Sequence, residues 1–210
     1  MGELKIGRAV LGWISTNCYF VFDPETMETV VFDPGDDGKR LYDRLNEKGL
    51  HVAGIVLTHG HYDHIYGVDE LKEASGAKVY APLKEKEFLL DPDLNQSSAQ
   101  GRVATVKADV YLEDNEVTDI NGIRFRTLWT PGHTIGSSCF YFEEDKILIA
   151  GDTLFLGSVG RTDMPTGSMG DLIQSIRKKI LVLPDDVRVY PGHGDDTTVG
   201  YERKYNPFCC

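Results

Sequence analysis

The chain has 210 residues, with 33 acidic against 22 basic side chains and a formal charge of −11. At 41% hydrophobic and 26% charged residues with no biased tract, the composition is that of a globular protein and excludes disordered, collagen-like and coiled-coil classes. Basic residues scattered among acids argue against a nucleic-acid partner, and apolar runs such as 147–150 and 30–32 fall far short of the roughly 20 residues that span a bilayer, so no membrane partner is expected either.

Taken in chain order, residues 18–22 and Glu28–Phe32 are β-rich runs bridged by the turn-forming Asp23-Pro24-Glu25-Thr26. Asp36 or Asp37 is placed to cap a helix over 39–48, with Leu41, Leu45 and Tyr42 on its inner face and Gly49 as the stop. The run 52–57 reads as a buried strand, 68–74 as a helix stopped by Gly76, 78–81 as a short strand, and 82–90 as a helix with proline in its permitted first turn. Residues 91–101 read as a mobile loop. Asn121-Gly122 between Ile120 and Ile123 predicts a type I′ hairpin, followed by a strand pair at 139–142 and 146–150. Leu172, Ile173, Ile176 and Ile180 recur at helical spacing and predict an amphipathic helix over 171–180. Strands dominate, and no linker or composition shift divides the chain, which is read as one domain over residues 1–210.

A chain of this length buries about 70% of the surface its unfolded form exposes and needs no staples. Residues 1–12 lack the apolar core of a secretory signal, so a cytoplasmic protein is expected. Cys18 and Cys139 lie in strand-like segments, while Cys209 and Cys210 are neighbours at the end. None has CxxC spacing, and all are expected to be buried or free thiols of a reducing compartment.

One pattern goes beyond what propensity requires. Four times an apolar strand runs into a short glycine-containing loop carrying His or Asp: 55–57 into Thr58-His59-Gly60-His61-Tyr62-Asp63-His64, 127–129 into Pro131-Gly132-His133, 147–150 into Gly151-Asp152, and 187–190 into Pro191-Gly192-His193. Five of the six histidines sit in these loops; His51 stands apart before a strand and reads as structural. Imidazole and carboxylate donors on closely approaching backbone are what a metal site demands. The His59-x-His61-x-Asp63-His64 segment cannot direct every donor at one ion, so two of its side chains serve one and Asp63 and His64 turn toward another. With His133, Asp152 and His193 the count is seven, enough for two ions with three protein ligands each, a shared carboxylate and room for water. The ordinary alternative is a set of loop hydrogen-bonders, which a lone surface histidine usually is. Asp33, leaving Glu28–Phe32 in Asp33-Pro34-Gly35, is placed either to accept an imidazole N–H behind the metals or to make a plain turn.

The Thr58–His64 segment, Pro131-Gly132-His133-Thr134, Gly151-Asp152-Thr153 and Tyr190-Pro191-Gly192-His193 resemble, in order and approximate spacing, the successive motifs of the metallo-β-lactamase fold hydrolases. Gly151-Asp152-Thr153-Leu154-Phe155, then Gly160-Arg161 and the closing Asn206-Pro207-Phe208, are most similar to glyoxalase II-like members. The resemblance implies an α+β fold, an αββα sandwich of two mixed sheets packed face to face with helices outside. It also implies one ion on His59, His61 and His133, another on Asp63, His64 and His193, and Asp152 bridging, with Asp63 and Asp152 as the catalytic carboxylates. The ions are divalent, zinc first, with iron or manganese also suited to His/Asp donors. The implied reaction is hydrolysis of a small anionic acyl thioester by a hydroxide held between the metals, at a core left net positive within an acidic protein.

Full-length glyoxalase II enzymes add a helical domain that holds glutathione, which is expected to be missing after Phe208. Arg161 stands where that family places a cationic substrate contact, while Asp163 and Asp195 stand where tyrosines are expected, so weak glutathione dependence is anticipated. An exposed ion pair with Asp163 is the competing role for Arg161. Two rival functions remain open. Gly160-Arg161-Thr162-Asp163 is similar to the persulfide dioxygenase branch, in which His59, His133 and Asp152 would hold a single iron; the other rival is a non-catalytic metal-binding protein. The oligomeric state is left open.

Overall fold

A computed structural model of the chain describes residues 3–209. Its first half forms a six-stranded sheet from β1 (Lys5–Leu11), β2 (Thr16–Phe22), β3 (Glu28–Phe32), β4 (His51–Val56), β5 (Lys78–Pro82) and β6 (Val110–Leu112), in sequential order. β1, β2 and β3 pair antiparallel, and β3 through β6 pair parallel. The parallel pairs require crossovers. These are supplied by helices α1 (Gly38–Glu47), α2 (Tyr62–Ile65), α3 (Val68–Ser75) and α4 (Lys86–Leu90).

The second half contributes β7 (Val117–Ile120), β8 (Ile123–Trp129), β9 (Ser138–Phe142), β10 (Ile147–Gly151), the small hairpin β11 (Leu154–Phe155) and β12 (Ser158–Val159), then α5 (Met169–Ser175), β13 (Arg188–Pro191), β14 (Thr197–Thr198) and α6 (Val199–Tyr205). Its six-stranded sheet has the order β14-β13-β10-β9-β8-β7, with β10 and β13 the parallel pair.

Period-two alternation assigns each strand residue a side. Along β3, Val30 and Phe32 face the second sheet while Val31 faces Leu41 and Leu45 of α1 and Val68 and Leu71 of α3. Along β9, Phe140 and Phe142 face inward and Cys139 and Tyr141 face the layer of Leu172, Ile176 and Ile180. Between the sheets, Phe32, Phe125, Phe140 and Phe142 meet with ring centroids 5.3–6.0 Å apart. Each such ring contributes roughly 1.5–3 kcal/mol of burial. The architecture is the α+β, αββα sandwich of two mixed sheets with helices outside.

Several local expectations need correction. β1 escapes sequence reading because it is an edge strand with no buried residue, hence no apolar alternation. Asp37 occupies the N-cap of α1 in the left-handed region, φ 47°, and its carboxylate makes no capping bond; Asp36 instead accepts from Arg102 at 2.8 Å. The segment 91–101 is tied down: Asn95 and Ser97 are fully buried, and the Asn95 carbonyl accepts from the Tyr62 N–H at 3.0 Å. The helix over 171–180 divides into α5 and a wider π-type turn over Ile176–Ile180, which keeps Ile176 and Ile180 buried. The region 82–90 likewise divides into a 3₁₀ turn, Leu83–Glu85, and α4. Asn121 and Gly122 both have positive φ, 51° and 90°, as a type I′ turn requires. Cys18 and Cys139 are buried free thiols, and burial pushes Cys139 up to about 11; Cys209 is buried, and Cys210 lies outside the described residues.

Candidate metal centre

The four loops singled out by the sequence leave the C-terminal ends of β4, β8, β10 and β13 and meet at one edge of the sandwich. His61 precedes the first turn of α2, and Asp63 and His64 lie within it. The switch from extended chain to helix swings these two away from His59 and His61.

Two donor clusters result. In the first, His133 Nε2 lies 2.9 Å from His61 Nδ1 and 3.3 Å from His59 Nε2. In the second, Asp63 Oδ2 lies 3.4 Å from His64 Nε2 and 3.2 Å from His193 Nε2. Within each cluster the donor atoms are all within 4.8 Å of one another. Asp152 stands between them: Oδ2 is 3.6 Å from His133 Nε2 and Oδ1 is 3.4 Å from His64 Nε2. All seven donors expected from the sequence are thus brought together, while His51 begins β4, exposed.

Hydrogen bonds behind the clusters fix the imidazole tautomers. Asp33 Oδ2 accepts from the Thr58 hydroxyl at 2.6 Å and from His64 Nδ1–H at 2.9 Å. Because the Thr58 proton is committed to Asp33, the 3.0 Å contact between Thr58 Oγ1 and His59 Nδ1 has the imidazole as donor. His133 Nδ1–H donates to the Arg161 carbonyl at 2.7 Å. For all three rings Nε2 is therefore the atom turned to the pocket. Asp33 falls near His59 and His64 as a third possible grouping, but its oxygens already serve Thr58 and His64. Asp33 also has a positive φ of 50°, held by its N–H donating to the Val56 carbonyl at 3.1 Å.

Charge separates the clusters. Burial, reinforced by neighbouring imidazoles, holds His59 well below the ordinary histidine value and brings His61 down to about 3; burial likewise lowers His133. Burial also opposes charge on His64, but the fields of Asp63, Asp152 and Asp33 outweigh it and raise that ring well above 6.5. His193 is raised as well, its burial outweighed by the hydrogen bond to Asp63 and the field of Asp152. Asp152 is held well below the carboxylate range despite its burial by His64, His133 and His59.

The pocket fits metal ions on its own geometry. His64 Nε2 and Asp152 Oδ1 are buried without a hydrogen-bond partner while facing each other. A Cβ on Gly192 would stand 2.2 Å from Asp152 Oδ1 and 2.7 Å from His64 Cε1, so only glycine lets the last loop close over them. Such converging imidazole nitrogens and a shared carboxylate suit divalent cations.

Residues that sequence reading passed over hold these loops. Thr16 donates to Asp63 Oδ2 at 2.9 Å. Asn17 Nδ2 donates to the Pro191 and Gly194 carbonyls, each at 2.9 Å, on either side of His193. Glu85 bonds the loop after His133. Thr16 and Asn17 directly precede the first β-rich run, and their roles arise only from tertiary pairing. Arg161 has its guanidinium paired with Asp163 at 2.7 and 2.8 Å on the surface, the competing role anticipated for it.

Residues 11–193 match the metallo-beta-lactamase superfamily. The chain belongs to that superfamily. It is 39% identical to the probable metallo-hydrolase YqgX of Bacillus subtilis, over 98% of this chain and 97% of the relative. It is 36% identical to the hydroxyacylglutathione hydrolase GloC of Haemophilus influenzae, over 91% and 92%. Among solved structures, BLEG-1, a B3 metallo-beta-lactamase, superposes with a TM-score of 0.93 at 40% identity, covering 98% of this chain and 99% of that one. TTHA1623 in a di-iron-bound form gives 0.85 at 35% identity, over 96% and 99%. With the fold and the His/Asp clusters, these relationships make the protein a metallo-hydrolase of the superfamily. No described helix is long and apolar enough to cross a membrane.

Proposed function

We propose that this metallo-beta-lactamase superfamily member hydrolyses small anionic acyl thioesters at a two-metal centre, with His59, His61 and His133 holding one ion, Asp63, His64 and His193 the other, and Asp152 shared. The observation that carries the reading is Asp152, one carboxylate with an oxygen facing each cluster. Zinc is the first candidate, and the di-iron form of TTHA1623 supports iron as the alternative. When bound, two divalent ions supply Lewis-acid polarisation of a carbonyl and an acidified water.

The chain's own groups do the rest. Asp33 and the Arg161 carbonyl keep the Nδ1 protons of His64 and His133 away from the pocket, and Thr58 does the same for His59, leaving the Nε2 lone pairs for ligation. Asp63 is oriented by the Thr16 hydroxyl. All five loop histidines belong to the clusters, so among the described residues none stands beside them to protonate a leaving group. A thiolate, which departs without such help, suits that arrangement. The 36% identity to GloC supports a thioester in particular. Arg161 is the proposed contact for the substrate's anionic group: its pair with Asp163 is exposed at 61% and 69%, and exposed pairs exchange partners at little cost.

The test is turnover of lactoyl-glutathione and of a truncated acyl thioester by metal-loaded and metal-free protein. Loaded protein should hydrolyse both, and Arg161→Ala should raise KM several-fold with kcat largely kept, as for lost uniform binding. The similarity to BLEG-1 favours β-lactam hydrolysis as a second reading, checked in the same assay with a chromogenic cephalosporin. β-Lactam turnover without thioester turnover would replace the first reading. Oxygen consumption with a persulfide by protein holding a single iron would put the dioxygenase in its place.

A further inference from the structure

Glu85 ends the 3₁₀ turn after β5, on neither of the strands whose loops carry the first cluster, and its side chain is completely buried. Oε1 accepts from the Thr134 hydroxyl and from the Gly136 N–H at 3.0 Å. Ser137 extends the network, its hydroxyl 2.6 Å from Thr134 Oγ1 and accepting from the Thr134 N–H at 3.0 Å. Because Thr134 gives its proton to Glu85, the Ser137 hydroxyl is the donor to Thr134. Oε2, buried without a hydrogen bond of good geometry, lies 3.3 Å from where a Cβ on Gly60 would stand.

Packing reinforces these bonds. A Cβ on Gly136 would stand 2.4 Å from the Glu85 backbone nitrogen, and one on Gly60 2.8 Å from the Phe88 ring. Phe88 also meets His61 edge-on, with centroids 5.3 Å apart. The segment from Glu85 to Phe88 therefore touches both the Gly60 peptide between His59 and His61 and the turn that follows His133. No comparable contact joins it to Asp63 or His193 among the described hydrogen bonds.

We infer that Glu85 is a positioning residue that clamps the His59–His61 loop to the His133 loop and so sets the affinity of the first metal site selectively. A buried carboxyl is costly to keep unless its bonds are needed; here they hold the His133 loop while Oε2 and Phe88 pack on Gly60 of the other, and the separation of these two loops determines whether three imidazole nitrogens converge. The inference rests on the two-cluster reading above.

The experiment is zinc titration of the metal-free full chain in competition with a chromophoric chelator, for the parent protein, Glu85→Ala, Glu85→Gln, Thr134→Val, and Leu45→Ala as a core control distant from the loops. Glu85→Ala should weaken one of the two zinc ions by 10- to 100-fold, the range for lost support of a ligand, and the other by less than threefold. Glu85→Gln keeps an acceptor for Thr134 and Gly136 and should recover most of that loss. If Glu85→Ala fails to fold, Thr134→Val, which removes one clamp bond, should still weaken the same ion several-fold. Leu45→Ala should lower thermal stability with neither affinity changed. Equal weakening of both ions, or none, in the Glu85 and Thr134 variants overturns the clamp. His61→Ala and His193→Ala, titrated alongside, should each remove a different ion. If both remove the same one, the two-cluster reading fails and the clamp with it; if they separate and the Glu85 variants match the control, only the clamp fails.

Discussion

Asp152 and the two kinds of histidine around it show how far single residues determine the site. Both Asp152 oxygens face imidazole nitrogens at 3.4–3.7 Å, so replacing the carboxylate by an amide keeps the shape but removes a charge and turns a donor toward one cluster. Asp152→Asn should therefore reduce hydrolysis more than any single change outside the four loops and lower metal content, measured as turnover and metal per chain. Near-parental turnover with both metals kept would show that Asp152 is not shared. The histidines also divide the pH response. His59, His61 and His133 are held below the ordinary histidine value by burial and so resist protonation as pH falls, whereas His64 and His193 are held above 6.5 and must release a proton before their nitrogens can bind a cation. As pH falls from 8 toward 5, protons should displace the ion at Asp63, His64 and His193 first. Metal content measured after equilibration across that range should fall in two separated steps, and parallel loss of both ions would contradict the split.

At the scale of elements, what was legible in the sequence is what local pattern encodes. Strand 52–57, the helix near 39–48 and the Asn121-Gly122 hairpin carry their own periodicity or turn chemistry, and the donor loops announce themselves because His and Asp recur at strand ends. The rest depends on contacts between segments far apart in the chain. Asn95 and Ser97 look like loop residues yet are buried through bonds to Tyr62 and Ala104. Gly132, at φ 135°, is needed because a Cβ there would stand 2.2 Å from the Leu172 backbone, so the His133 loop and α5 fit only through glycine. Glu85 resembles any helix-surface acid until β5 delivers it between two loops. Its burial, only partly offset by Thr134 and the Gly136 and Gly60 amides, raises its pKa from 4.5 to about 7. The unfolded chain then loses that proton near 4.5 and the folded one near 7, so ionisation costs the fold stability as pH rises through this interval. At about 1.4 kcal/mol per tenfold in proton affinity the effect is on the order of 3 kcal/mol. Metal-free Glu85→Gln, with nothing to ionise, should gain stability relative to the parent between pH 4.5 and 7.5 in denaturant unfolding. A constant difference would place the Glu85 carboxyl in a better-solvated setting than its burial implies.

For the whole molecule, the question is whether the metals hold the fold or the fold holds the metals. Three apolar layers are packed independently of the donor loops: the first sheet against α1 and α3, the two sheets against each other, and the second sheet against the layer of Leu172, Ile176 and Ile180. Phe32, Phe125, Phe140 and Phe142 lie in the middle layer, buried to within 1%. The donors are also restrained without cations, by Asp33 on His64, the Arg161 carbonyl on His133 and Thr16 on Asp63. Binding then stabilises the native state by mass action, about 3–4 kcal/mol for one site at a hundred to a thousand times its dissociation constant. In a chain of this size each kcal/mol moves Tm by about 2–4 °C. Purified protein should saturate at two divalent ions per chain. Chelation of both ions should abolish turnover and lower Tm by on the order of 20 °C while leaving far-UV dichroism and a single cooperative transition. Those three readouts separate the possibilities: saturation at one ion with Asp63 and His193 dispensable would reject the two-metal centre, and loss of the cooperative transition on chelation would mean that the loops carry the fold. The second outcome is the one the packing opposes most directly, because it would require three buried layers to depend on side chains that lie at one edge of them.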